Sequence, residues 1–329
     1  AQNATKQNSL LSPSINKMIE DSLGAIWLAT DMGLNRFDKK TQQFSAFFYS
    51  GMADTLITDL FCYSLFIDSK HNMWVGTANG VAVIDPYSGV LKQVLLSGKS
   101  DLEAKVSVYS IIEQPGGIYW LGTSKGLVKY DMLTGQYRNW SNIPTGQDPD
   151  KVYSLLLQNK TIWLAANNGL FEFNTETEKF SHFHFKPADV LFFQHEGFNS
   201  LLIDEHGFLW AGTDSKGLIV IDIQDGGYVL LNSNTDLEYP IKSNHIRYLY
   251  VDNAGLMWIG TKFGGVFKYK MNLDVFGKLP NRFCALERLS NKYTLSVYNE
   301  GDSIVWIGTK HEGLFSCNLR TAKIDSFVH

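Results

Sequence analysis

Apolar and polar positions alternate along this chain in short blocks. Residues 108–140 show the pattern in full: VYSIIEQ, IYWLGT, GLVKYD and QYRNW are four apolar-rich runs of strand length. Turn-forming residues separate them. Pro115-Gly116-Gly117 divides the first pair, and Asp131 to Gly135 divides the last pair. The middle pair is joined from Thr123 to Gly126, where glycine supplies the positive φ of a tight hairpin. The block therefore predicts four antiparallel strands, A to D. Strand A carries apolar residues on both faces, as in Ile111-Ile112 and Leu201-Leu202-Ile203, which predicts cover on both sides. Strand D alternates, as along Phe180 to Phe185, which predicts one wet face. Strand A is expected innermost and strand D outermost.

The block recurs along the whole chain. Trp27, Trp74, Trp120, Trp163, Trp210, Trp258 and Trp306 stand in the cassettes IWLAT, MWVGT, YWLGT, IWLAA, LWAGT, MWIGT and VWIGT. A Gly and an apolar residue follow each, as at Gly33-Leu34 and Gly265-Val266. A four-stranded unit with a covered inner strand cannot stand alone and must stack on its neighbours. Units of this length are expected to close radially. The predicted fold is all-β: one seven-bladed β-propeller of four-stranded antiparallel blades over 1–329. Its blades fall near 14–49, 58–96, 104–141, 150–184, 197–232, 244–280 and 291–328. Because the last block ends in its own outer strand, the first and last blades are expected to meet by side-chain packing, with no blade shared between the chain ends. The fourth block departs from the pattern, with a short A–B turn at Gln158 to Lys160 and Ala165-Ala166 in place of Gly-Thr. A local variation is expected there, with no change of fold.

Composition narrows the field. Hydrophobic residues make up 44% and aromatic residues 13%, enough for a sizeable core. The formal charge of −4 is spread along the chain, with no basic stripe for nucleic acid or an anionic membrane surface. Cys62, Cys284 and Cys317 are too far apart for a metal pair or a disulfide framework, and are read as buried packing residues. No apolar run is long enough to span a membrane.

The succession of an acidic residue and Gly, then W-[IL]-G-T, then G-[LV] and an aromatic-Asp pair, almost whole in DEHGFLWAGTDSKGLIVID from Asp204 to Asp222, resembles the two-component regulator propeller repeat. The resemblance covers essentially the entire chain. It implies the periplasmic sensor part of a Bacteroides-type hybrid two-component system, sensing oligosaccharides released from complex glycans and controlling genes for their use. It also implies a larger receptor, with a second propeller, a β-sandwich, a membrane helix and a histidine kinase fused to a regulator. No catalysis, cofactor or metal is expected of this propeller itself. Its implied partners are the oligosaccharide and the remaining receptor domains.

Other chemistry is weaker. Gly122 to Gly126 has the G-x-S-x-G spacing of a hydrolase elbow, but the segment is a strand-to-strand turn. Gly212 to Gly217 has the glycine spacing of a phosphate loop, but lacks the Lys and the helix. His182 and His184 lie two apart on a strand and could face one metal, or could simply be solvated. Trp140, outside the cassettes, could stack on a sugar or anchor its strand. The repeated Trp is read as core, and Ser64, Ser110, Ser154, Ser200 and Ser296 as small residues demanded by crowding on strand A.

Scaffold positions repeat, so departures from the repeat are better guides to function. The residue opening strand A varies most: Asn16, Tyr63, Tyr109, Tyr153, Asn199, Arg247 and Leu295. The connection between the fourth and fifth blocks is the longest on that side and includes Lys186, Phe192, Phe193, Gln194, His195 and Glu196. Tyr109, Tyr153, His195, Asn199 and Arg247 are therefore the expected ligand contacts, with aromatic rings for stacking and polar groups for hydroxyls. Two other classes of function make different demands. A propeller lyase or glycosidase would need converging acid and base groups, and a protein-interaction scaffold would show broad apolar patches.

Overall fold

A computed structural model describes residues 9–47, 61–87, 91–95, 106–140, 151–183, 193, 196–224, 226–234, 241–252, 255–270, 284–285, 292–301, 304–318, 321 and 323–327. The chain is a seven-bladed β-propeller of four-stranded antiparallel sheets, each in the order A-B-C-D. Strands A are Ile15–Glu20, Cys62–Ile67, Val108–Gln114, Val152–Gln158, Phe198–Ile203, Ile246–Val251 and Thr294–Glu300. Strands B are Ile26–Thr30, Met73–Thr77, Ile118–Thr123, Thr161–Ala166, Phe208–Thr213, Leu256–Thr261 and Ile304–Thr309. The outer strand of the sixth sheet is Cys284–Ala285, later in the chain than the expected end near 280.

The residues form two compact units, 1–140 with 305–329 and 141–304. Within the first, strands A of blades one to three run side by side; within the second, strands A of blades four to seven do the same. Strand A is thus innermost, as its apolar content suggested. Its burial differs from expectation. In these strands A each buried position is followed by two or three half-buried ones, whereas strand B is buried along nearly its whole length. The reason is positional: strand A is the edge of its sheet, while strand B is flanked by A and C and covered on both faces.

The cassette Trp is core. Trp27, Trp74, Trp120, Trp210 and Trp258 are fully buried. The acidic residue six positions earlier does more than turn the chain. Asp21, Asp68, Asp204 and Asp252 each accept the indole N–H of their Trp at 2.8–2.9 Å. The same carboxylates accept the amide N–H four residues on. In the third blade Gln114 Oε1 plays this part for Trp120. In the fourth, the turn is shortened, and Trp163 Nε1 is buried with no hydrogen bond among the described residues.

Two further devices recur. The Thr ending strand B donates its hydroxyl to the carbonyl of the Gly opening strand C in every blade but the fourth, at 2.7–3.0 Å. The fourth has Ala166 there. The small residues of strand A are also not explained by crowding alone. Ser64 Oγ donates to Val108 O, while Ser154 Oγ accepts from Leu201 N–H and Ser200 Oγ from Leu249 N–H. These serines bond successive inner strands together.

The first blade uses only residues 15–47, and the last ends in its own outer strand, Ile324–Phe327. Inside the first unit, Phe37 packs on Trp306 at 5.4 Å and on Phe327 at 5.0 Å between ring centroids. Gly313 N–H donates to Pro13 O at 2.8 Å, and the Ser14 hydroxyl bonds Lys310 O. Side-chain packing is therefore supplemented by backbone bonds. Cys62 and Cys317 are buried free thiols, and burial, with the Asp31 charge, pushes the Cys62 thiol up to about 12.

Candidate functional site

Six inner strands slip in register at one common place. Ile15 pairs with Thr30 and Lys17 with Ala29, leaving Asn16 over. The same slip leaves Tyr63, Tyr109, Tyr153, Asn199 and Arg247 over in their blades. These are the variable positions singled out in the sequence, and each is a β-bulge. A bulge re-aims one side chain without disturbing the ladder beyond it. All six side chains are half-buried, and the residue before each is fully buried. The scaffold thus holds its position by the buried neighbour and presents the bulged residue.

In the first unit the bulged residues form one chain of contacts. Asn16 Nδ2 donates to Asp31 Oδ1 at 2.8 Å and to Cys62 O at 2.9 Å. Tyr63 meets Tyr109 edge-to-face at 5.0 Å, and Phe61 lies over Tyr63 at 6.0 Å.

In the second unit the contacts are polar. Arg247 Nη1 donates to Asn199 Oδ1 at 3.0 Å, and Asn199 Nδ2 donates to Ile246 O at 3.0 Å. Asp214 Oδ1 lies 3.5 Å from Arg247 Nη2 and 3.8 Å from His245 Nδ1. The guanidinium carbon lies 5.7 Å over the Tyr293 ring. Arg247 Nε and His245 Nδ1 are buried and make no hydrogen bond among the described residues. Tyr153 occupies the bulge of the fourth blade in this unit.

Of the five expected contacts, the structure brings Asn199 and Arg247 into direct contact. Tyr109 belongs to the aromatic pair of the first unit. His195 lies outside the described residues, as do Lys186, Phe192 and Gln194. Two neighbours on that connection are structural. Phe193 is buried against Tyr228, and the buried Glu196 carboxylate accepts from Ser215 N–H at 2.6 Å and Ser215 Oγ at 2.7 Å. Other carboxylates are similarly occupied: Glu20 by Lys39, and Glu113 by the amide and hydroxyl of Ser69.

The sequence reading missed Asp214, His245, Lys262, Phe263 and Tyr293 as site residues. A signal was present. From the Thr of strand B to the Gly of strand C there are two intervening residues in most early blades, as in Thr30 to Gly33, but three in the fifth, sixth and seventh. Asp214, Lys262 and Phe263 come from those longer loops.

The remaining motifs are accounted for by the scaffold. Ser124 of the G-x-S-x-G segment sits in a B–C hairpin and accepts from Ser107 N–H. Trp140 packs on Trp120 at 5.6 Å and under Arg138 at 4.6 Å, which anchors its strand. Among the described residues no group of three His, Cys, Asp or Glu could hold a metal. The His182 side chain and His184 lie outside the description.

Residues 240–263 match the family model of the two component regulator propeller. The match spans strand A of the sixth blade, Arg247 and Trp258. No curated protein gives a significant sequence match. Among solved structures, the extracellular domain of the hybrid two component system BT3049 from B. thetaiotaomicron superimposes with a TM-score of 0.71 at 17% identity, over 95% of this chain and 41% of that one. The chain therefore spans about two-fifths of that domain's length. Virginiamycin B lyase from Staphylococcus aureus gives 0.65 at 15% identity, covering 94% of both chains. The β-propeller domain of Cps50 (Swd1) from Myceliophteria thermophila gives 0.58 at 12% identity, over 79% and 84% of the two chains. At these identities each likeness is one of fold.

Proposed function

We propose that this chain is a ligand-binding module from the extracytoplasmic, periplasmic part of a hybrid two-component system. It binds an oligosaccharide derived from a complex glycan, and binding controls genes for that glycan's use. The observation that carries this reading is the two component regulator propeller match over residues 240–263. The likeness of fold to a hybrid two-component extracellular domain agrees with it. The contact set proposed for the sugar lies in the second unit: Asn199 and Arg247, with Tyr153 at the equivalent bulge. Asn and Arg offer donors and acceptors in fixed directions, which suits sugar hydroxyls. His195 completes the proposed set there, and Tyr109, beside Tyr63, is a separate candidate for stacking in the first unit. The partners proposed are the oligosaccharide and further domains of a longer receptor, including a second propeller and a β-sandwich.

An enzyme on this fold would need a free acid and base facing one substrate. The carboxylates Glu20, Glu113 and Glu196 are each held by a structural partner, so binding without catalysis is the better reading. Calorimetric titration of an oligosaccharide panel tests it. Micromolar binding of one sugar class supports the reading, and the absence of heat with every sugar refutes it.

A further inference from the structure

Within the second unit, the long B–C loop of the sixth blade is fixed from several directions. Thr261 Oγ1 donates to Gly265 O, Ser243 Oγ donates to Lys262 O at 2.6 Å, and Lys262 N–H donates to His245 O. A Cβ on Gly264 would fall 2.7 Å from Ser243 Cβ, so the loop lies directly on the segment that leads into strand A. This clamp holds Phe263 at φ 64°, a conformation that a bulky side chain rarely adopts. Of the five described non-glycine residues with positive φ, Phe263 is the one with an apolar side chain. The residue is 64% exposed. An unfavourable backbone persists where the surroundings over-determine it, and such positions cluster at ligand sites.

What surrounds the ring has a definite chemistry. Phe263 meets Tyr293 edge-to-face at 5.5 Å. Lys262 Nζ lies 5.4 Å from the Phe263 centroid and 5.8 Å from that of Tyr293. Arg247 approaches the same Tyr293 ring. Among the described residues Lys262 has no carboxylate partner. Beside its bond to Asn199, the one carboxylate near Arg247 among the described residues is Asp214 at 3.5 Å, with both side chains partly exposed, a pairing that an incoming anion can displace. Two cations and two aromatic rings thus gather on one spot of a chain that is acidic as a whole.

We propose that Lys262, Phe263, Tyr293 and Arg247 form a subsite for an anionic sugar, one carrying a carboxylate or a sulfate. The apolar face of the sugar stacks on Phe263, and its oxyanion takes charge-assisted hydrogen bonds from Lys262 and Arg247. The inference rests on the oligosaccharide-binding reading and names the class of sugar.

Calorimetry on the 329-residue chain tests it with four probes: an oligogalacturonate, the same oligomer with its carboxyls methyl-esterified, a sulfated galacto-oligosaccharide, and a neutral gluco-oligosaccharide. The expected result is preference for an anionic probe by about tenfold or more over its neutral counterpart, weakening as salt rises. Loss on esterification assigns the carboxylate, and binding of the sulfated probe alone assigns the sulfate. The Lys262→Gln and Phe263→Ala variants, altering one half-buried and one exposed loop side chain, should each weaken the anionic probe about tenfold. Only Lys262→Gln should leave a neutral probe unchanged. Equal binding of neutral and anionic sugars, or anionic binding indifferent to both variants, overturns the anionic subsite and leaves the sensor reading standing. Silence with every probe and with a broad oligosaccharide panel overturns that reading as well.

Discussion

Arg247 donates a hydrogen bond to Asn199 at 3.0 Å, and both are the bulged residues of successive inner strands. The scaffold thereby brings two copies of its variable bulge position together while holding each by a buried neighbour, Ile246 and Phe198. Substituting Asn199 by Ala should leave the fold intact but free the guanidinium to swing towards Asp214. Its expected signature is a loss of oligosaccharide affinity with a modest change in stability, about 1–2 kcal/mol for the two half-exposed bonds, from Arg247 and to Ile246 O. Paired calorimetric and urea-unfolding measurements on the variant check this.

The carboxylates behind the cassette tryptophans are the scaffold's main polar anchors. Replacing Asp252 by Ala strips Trp258 Nε1 and the Leu256 amide of their acceptor at a buried site. A loss of about 3 kcal/mol is expected from two buried donors left unpaired, measured as a shift in the urea midpoint. An unchanged midpoint would mean that water replaces the carboxylate.

Asp68 adds a pH dependence. Burial raises its carboxyl, but the hydrogen bonds from Asn72, Trp74 and Tyr119 outweigh burial and hold it below 3.8. Its stabilisation is therefore complete above the unfolded-state value and is lost as pH falls through the lower folded-state value. The stability gap between the native chain and an Asp68→Asn variant should be constant from about pH 7 to 5 and shrink below about pH 4. A gap that widens on acidification would contradict the assignment.

The fourth blade offers a gain. Ala166 stands where the other six blades have a buried Thr bonded to the next Gly carbonyl, and it is itself fully buried. Ala166→Thr should restore that bond to Gly169 and stabilise the chain by about 1 kcal/mol. Thermal unfolding of the variant would show a raised midpoint. A lowered one would mean that the fourth blade has no room for the hydroxyl.

At Gly76 of the second cassette glycine is a packing requirement, whereas the first and fourth cassettes carry Ala29 and Ala165 at that position. A Cβ on Gly76 would stand 2.5 Å from Val108 O of the adjacent blade, and would crowd the Ser64 hydroxyl that bonds that carbonyl. Gly76→Ala should cost about 2 kcal/mol by overpacking, with chemical denaturation as the readout.

The blades were legible because Trp, Gly and the turn residues recur at one spacing, and periodicity of that kind survives without knowing any contact. Three things were not legible. The bulges at Asn16, Tyr63, Tyr109, Tyr153, Asn199 and Arg247 add one residue to a strand without altering its composition, so the sequence marks them only as variable. Strand A reads as apolar on both faces, yet its edge position leaves half of it partly open; composition does not reveal which edge faces a neighbour. The turn aspartates announce a turn, while their second task, accepting an indole proton six residues on, depends on how the turn folds back. Asp214, Lys262 and Phe263 could have been found by counting residues between Thr and Gly, since a loop longer by one is a departure from the repeat.

The most direct test of the account is the affinity of the chain for its best-bound oligosaccharide before and after joint substitution of Tyr153 and Arg247 by Ala. A loss of at least about a hundredfold, equivalent to roughly 2.7 kcal/mol, is predicted if the inner-strand bulges form the sugar contacts. Unchanged affinity in a folded double variant would contradict the assignment and move recognition away from these bulges.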